Sequence, residues 1–135
     1  MSLSPDRPVE DERWLKGLTT RREVLGDDYV DRSLAAMDDL TAPLQDFVTR
    51  AAWNDVWNRP GLARRDRSIL NIGMLVALNR PHELRIHLRG ALRNGVTLDE
   101  LRECLLQSAI YCGAPAALDA FRIAREVLAE GAEGE

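Results

Sequence analysis

Apolar residues recur three and four apart along almost the whole chain, and no stretch alternates polar with apolar over the length of a strand. Helix is therefore predicted nearly throughout. Residues 1–9, with Ser2, Ser4, Pro5 and Pro8, read as a disordered leader. A first helix over 11–25 carries Trp14, Leu15, Leu18, Val24 and Leu25 as its apolar stripe and stops at Gly26. A short second helix over 28–37 follows. The third, over 41–57, has Pro43 in its first turn and Leu44, Phe47, Val48, Ala51, Ala52 and Val56 at helical spacing, until Asn58, Arg59, Pro60 and Gly61 break it.

The fourth helix, over 63–78, differs in kind. After Arg64, Arg65, Asp66 and Arg67 it reads SILNIGMLVAL, apolar on nearly every side, a pattern that predicts burial all round by its own domain or by a partner subunit. Asn79, Arg80 and Pro81 turn into a fifth helix ending at Asn94 and Gly95. The sixth opens on Thr97-Leu98-Asp99-Glu100, a capping-box sequence, and closes at Gly113; the seventh starts at Pro115 and runs to about Ala129. The expectation is one all-α domain over 10–131, a bundle of six to seven helices, with an acidic tail over 132–135. Two helical hairpins in succession suggest stacked helix pairs.

Composition narrows the function classes. The 135 residues are 45% hydrophobic and only 5% aromatic, with 18 Lys+Arg against 22 Asp+Glu and a formal charge of −4. A mildly acidic chain without a basic block offers no electrostatic reason to bind nucleic acid or an anionic membrane. No apolar run is long enough to span a bilayer, and the N-terminus lacks the signal-peptide pattern, so a cytoplasmic protein is expected. Cys104 and Cys112, eight apart on one helix, sit roughly 12 Å from each other. A disulfide needs Cα atoms within about 7 Å. Neither cysteine belongs to a Cys-x-x-Cys pair, and no metal-ligand spacing is present, so two reduced, packed thiols and no metal are expected.

Candidate chemistry then reduces to polar residues on faces that should be buried. His82 and His87 are five apart, roughly 140° around a helix, and cannot chelate one metal together. On the fifth helix Leu84, Leu88, Ala91 and Leu92 form the apolar arc, and Arg85, Arg89, Arg93 and His82 gather on the solvent side. Arg80, Glu83, His87 and Asn94 share a strip of about 60° beside that arc. The strip reads either as a flank of i, i+4 pairs or as a proton-transfer site, in which Glu83 tunes His87 near neutral pH and Arg80 holds an anion. Asn71, mid-helix among Ile69, Leu70, Ile72 and Met74, must find a partner, most simply on another helix. Tyr111 reads as a packed ring or a site residue. The Arg64, Arg65, Arg67 cluster reads as an exposed helix start or a carboxylate binder, and Trp53 with Trp57 as a core or subunit contact.

Several blocks taken in order, RPGL with RRDRS, HELRIHLRGALRNGVT and AIYCGAPAA, resemble the carboxymuconolactone decarboxylase family, over about residues 17–129. The resemblance implies an all-α fold of the alkylhydroperoxidase D type and a homo-oligomer, a trimer or trimer-based hexamer. Peroxidase relatives carry Cys-x-x-Cys-x-x-x-His. Here the His position is His87, but Arg80 and Glu83 stand where the thiols would be, and the position of the peroxidases' relay carboxylate falls near Ser68. The implied activity is cofactor-free decarboxylation of 4-carboxymuconolactone to 3-oxoadipate enol-lactone in protocatechuate catabolism. In that reading His87, oriented by Glu83, gives the proton or the oxyanion hydrogen bond. Arg80 and Arg67 hold anionic groups, with Asn71 and Tyr111 as further substrate contacts. A thiol peroxidase, or a family member that acts on another lactone acid or only binds it, are the alternatives.

Overall fold

The computed structural model describes residues 7–134. Every regular element among them is helical. The leader expected over 1–9 lies outside the described residues as far as position 6, and position 135 of the expected tail lies outside them too. The chain divides into two compact units, one ending at Leu62 and the other beginning at Ala63.

In the first unit, α1 (Glu12–Leu25) starts where the Asp11 carboxylate accepts the Trp14 amide at 3.0 Å. Gly26, with φ of 91°, ends α1 and at once begins α2 (Asp27–Ala35), two residues shorter at its C-terminus than the pattern predicts. The expected third helix is two things. α3 (Ala42–Phe47) is α-helical, and the chain continues without a break into a π-helical stretch, Val48–Val56. Hydrogen bonds from i to i+5 wind the backbone wider than 3.6 residues per turn, so positions four apart stay on one side. Thr49, Trp53 and Trp57 are accordingly buried, and the two indoles stack with centroids 5.0 Å apart. Leu44, Phe47 and Val56, assigned inward on an α-helical period, are exposed.

Gly17 permits this packing. A Cβ at that position would lie 2.2 Å from the Thr49 carbonyl oxygen, so only glycine lets α1 meet the π-helical backbone. Arg21, which the periodicity does not place inside, is 5% exposed and donates to Gln45 on α3 and Ser33 on α2. Burial pushes its pKa down, and the Tyr29 hydroxyl offsets part of that cost. Arg50 holds Asp11, Asp46 and the Val9 carbonyl oxygen, tying the segment before α1 to the π-helical stretch.

The second unit is two helical hairpins. α4 (Arg64–Ala77) ends in a Schellman turn, with Arg80 N donating to Leu75 O at 3.0 Å and Asn79 N to Val76 O at 3.2 Å. Asn79 takes the left-handed conformation this turn needs, φ 54°, which a short polar side chain tolerates. Pro81 then opens α5 (Pro81–Arg93) at a position where the missing N–H costs nothing. A second Schellman turn, through Asn94 and Gly95, ends α5. The capping box of Thr97 and Glu100 starts α6 (Leu98–Cys112) as predicted. Gly113 separates it from α7 (Ala114–Gly134), which runs about one turn beyond the predicted end.

Ile72 and Val76 of α4, Leu84, Leu88 and Ala91 of α5, Leu101 and Leu105 of α6, and Ile123 and Val127 of α7 make one core. Arg85 and Arg89, expected on the solvent side, pair instead with Glu126 and Glu130 of α7. α4 is not buried all round within the chain: Leu70, Met74 and Leu78, one turn apart, are 54%, 43% and 63% exposed.

Candidate functional site

The α4–α5 hairpin decides where the polar strip points. Because the turn at Asn79 and Arg80 is tight, α5 folds straight back along α4, and the edge of its apolar arc faces the one amide in the middle of α4. Asn71 Nδ2 lies 3.4 Å from His87 Nδ1. The half-buried amide thus has its partner on another helix, as its position in α4 requires. An amide N–H2 can only donate, so this contact requires Nδ1 as acceptor and favours the tautomer with its proton on Nε2.

Burial also sets the charge of this ring. Desolvation lowers the His87 pKa from 6.5 to about 4, and the nearby Glu83 carboxylate raises it by less than burial lowers it. The expectation of a histidine tuned near neutral pH is therefore corrected: the ring is neutral at pH 7, because most of it is out of water while Glu83 is exposed. His82, on the same helix, is exposed.

The remaining predicted residues are placed as follows. Arg80 caps the N-terminus of α5, is exposed, and pairs with no carboxylate among the described residues. Arg67, one turn before Asn71 on α4, is half-buried. Tyr111 is 82% exposed at the C-terminal end of α6, and no hydrogen bond links it to Asn71 or His87. Two further residues, given no role of their own by the sequence, lie on the same seam. Ser68 is fully buried on α4, and its hydroxyl oxygen accepts from Asn94 Nδ2 at 2.8 Å. The signal for Asn94 was its place on the His87 strip; Ser68 gave none, since one hydroxyl in a helix is unremarkable by pattern.

The groups that other chemistries require are placed differently. Cys104 and Cys112 are free and half-buried on α6, and burial pushes the Cys104 thiol up, away from the thiolate that attacks peroxide. No cluster of metal-binding side chains occurs among the described residues, and no helix among them is long and apolar enough to cross a membrane. A shallow hollow of about 270 Å³ on the first unit is lined by Leu15, Lys16, Thr19, Thr20 and Asn58, none of them a predicted site residue.

The hairpin brings an imidazole and an amide together across α4 and α5, and the two free cysteines lie apart from it on α6. The chain belongs to the carboxymuconolactone decarboxylase family, which residues 42–126 match, and its fold is the all-α, alkylhydroperoxidase D-like one. It is 47% identical over 118 residues to 4-carboxymuconolactone decarboxylase of Acinetobacter baylyi, covering 87% of this chain and 88% of that protein. It is 40% identical over 113 residues to nitrosuccinic acid decarboxylase of Metarhizium robertsii, covering 84% and 79%. An uncharacterized 15.0 kDa protein of Paracoccus denitrificans is 33% identical over 100 residues, covering 72% and 74%.

Proposed function

We propose that this chain removes CO2 from 4-carboxymuconolactone to give 3-oxoadipate enol-lactone, a step of protocatechuate catabolism. The observation that carries the reading is the neutral His87, held against Asn71 on the α4–α5 seam, in a chain 47% identical to a 4-carboxymuconolactone decarboxylase. The substrate is a butenolide whose ring carbon bears a carboxylate and an acetate arm. The bond from that carbon to the carboxylate breaks, CO2 leaves, and the electron pair moves through the ring double bond into the lactone carbonyl. The dienolate oxygen then carries the negative charge until a ring carbon takes up a proton from water, which replaces the CO2 that left. The lactone is its own electron sink, so the bond cleavage itself asks for no cofactor.

What the protein must supply is a donor aimed at that oxygen. A ring protonated only below about pH 4 is no reserve of protons at neutral pH. Of the two roles open to His87, the hydrogen bond from Nε2 to the developing oxyanion is therefore the one adopted here, as a neutral imidazole can serve as electrophile. Asn71 fixes the tautomer, and the Glu83 carboxylate favours the partial positive charge that the ring gains as the oxyanion forms. Arg80, with the positive end of α5 beside it, receives one carboxylate, and Arg67 the other. Tyr111 stays a substrate contact in this proposal only if the ligand or a second subunit covers its exposed ring.

The exposed stripe Leu70, Met74 and Leu78, with Ile110, Tyr111 and Leu118 also exposed, supports a homo-oligomer, trimeric or hexameric, that covers these side chains. Two free thiols suit a reducing compartment, and we place the enzyme in the cytoplasm.

The relative that acts on nitrosuccinic acid favours a second reading of the substrate. Both acids carry the departing carboxylate on a carbon joined to an electron sink and to a CH2–COO⁻ arm. One experiment separates the readings: the purified protein is given enzymatically generated 4-carboxymuconolactone, and separately nitrosuccinate, while CO2 release is followed. Turnover of the lactone far above its spontaneous rate is expected. Turnover of nitrosuccinate alone moves the assignment to the second reading, and turnover of neither removes decarboxylation.

A further inference from the structure

Within the second unit, α4 and α5 meet through Ile72, Val76, Leu84, Leu88 and Ala91, all nearly or fully buried. Such apolar contacts are not directional and fix the sliding register of two helices only loosely. Polar contacts cross the same seam, and two of them concern the site. One is Asn71 with His87 at 3.4 Å, already at the long end of hydrogen-bond range. The other is Asn94 Nδ2, which donates to Ser68 Oγ at 2.8 Å and also lies 3.5 Å from the Arg64 carbonyl oxygen. Ser68 precedes Asn71 by one turn of α4. Asn94 follows His87 by two turns of α5, about 20° from it around the helix. The shorter contact sits where both elements are well defined, because Asn94 is the residue that ends α5 in its Schellman turn and Ser68 is 0% exposed. A change of a few tenths of an ångström along the seam breaks the longer contact first.

We propose that Ser68 and Asn94 form a positioning pair that sets the register of α4 against α5 and thereby keeps Asn71 on Nδ1 of His87. This rests on the reading of His87 as the oxyanion donor. With the pair intact, Nδ1 is held as an acceptor and Nε2 keeps the proton. With it removed, the amide drifts from the ring, the contact that favours Nδ1 as acceptor is lost, and the tautomer balance shifts toward the form that presents an acceptor where the substrate needs a donor.

The test uses full-length Ser68→Ala and Asn94→Ala, with Thr97→Ala as a control that weakens the fold at the α6 cap and leaves the seam alone. Imidazole ¹⁵N shifts at neutral pH report the His87 tautomer, and kinetics with 4-carboxymuconolactone report kcat and KM separately. We expect Nε2–H in the wild type and in Thr97→Ala, and mixed tautomers in the two seam variants. There kcat should fall about tenfold to a hundredfold with KM within about twofold, the scale of a small misplacement at a reacting centre. An unchanged tautomer and kcat in the seam variants would overturn the proposal, as would equal losses in Thr97→Ala. If Asn94→Ala does not fold, Ser68→Ala decides alone. If the wild type does not turn over the lactone, the decarboxylase reading falls. The ¹⁵N result still decides the positioning claim: mixed tautomers sustain it and an unchanged tautomer ends it.

Discussion

His87 shows how far one residue's surroundings decide its chemistry. On the helix surface the same imidazole beside Glu83 would titrate near or above its ordinary value; on the α4 seam burial outweighs the carboxylate and brings it to about 4. That displacement has a consequence for stability. The unfolded chain takes up a proton at about pH 6.5 that the folded chain refuses until about pH 4. The unfolded state therefore binds more protons in this window, and acidification through it destabilises the fold, by up to about 3 kcal/mol from this residue. Stability from His87 is complete above the window and lost below it. Denaturant unfolding at several pH values should show this slope in the wild type and a flatter one in His87→Gln; parallel curves would contradict the burial argument. Asp11, Asp55 and Glu126, held below the usual carboxylate range by hydrogen bonds from the Trp14 amide, Arg13 and Arg85 respectively, lose their contribution only at lower pH.

Among the elements, the α-helical period places the core of α5 and the cap of α6 correctly and fails over α3 and the π-helical stretch that follows it, where Leu44, Phe47 and Val56 are exposed. The arc Leu84, Leu88 and Ala91, the Thr97–Glu100 box and the strip that contains His87 were all legible, because each follows from 3.6 residues per turn. The stretch from Val48 to Val56 was not legible as π-helix, since nothing in its composition announces i→i+5 bonding; Trp53 and Trp57 were read as a core or subunit contact and are buried, but Thr49 on the same face was missed. Half of the site was legible too. Asn71 needed a partner and His87 needed a reason to lie beside the core, but that each answers the other is a fact of the hairpin turn, to which no spacing within a single helix points. Gly17 carries the π-helical packing, so Gly17→Ala should cost about 1–3 kcal/mol or more in urea unfolding, the range for a methyl forced into filled space. Thr97→Ala should cost about 1 kcal/mol through loss of the α6 cap. A Gly17→Ala variant as stable as the wild type would mean that the approach of α1 to Thr49 is looser than the structure has it.

For the molecule as a whole, the apolar residues of α4 pose a question that one chain does not answer. A sequence apolar on all sides predicts burial on all sides, yet Leu70, Met74 and Leu78 face outward. If a second copy covers them, Leu70→Glu with Met74→Glu should lower the mass found by sedimentation equilibrium to that of a single chain, with the helical circular dichroism retained. An unchanged mass would place the subunit contact elsewhere. Association also bears on Tyr111, which is 82% exposed in the isolated chain.

In the proposed mechanism the decarboxylation runs through the His87 imidazole on the α4–α5 seam and not through the exposed His82 five residues earlier. It is tested most directly by the turnover of 4-carboxymuconolactone by His87→Ala and His82→Ala, each checked for its fold. The account predicts a loss of about a hundredfold or more in kcat for His87→Ala and a value near wild type for His82→Ala. Equal effects of the two substitutions, or full activity without the His87 imidazole, would contradict it.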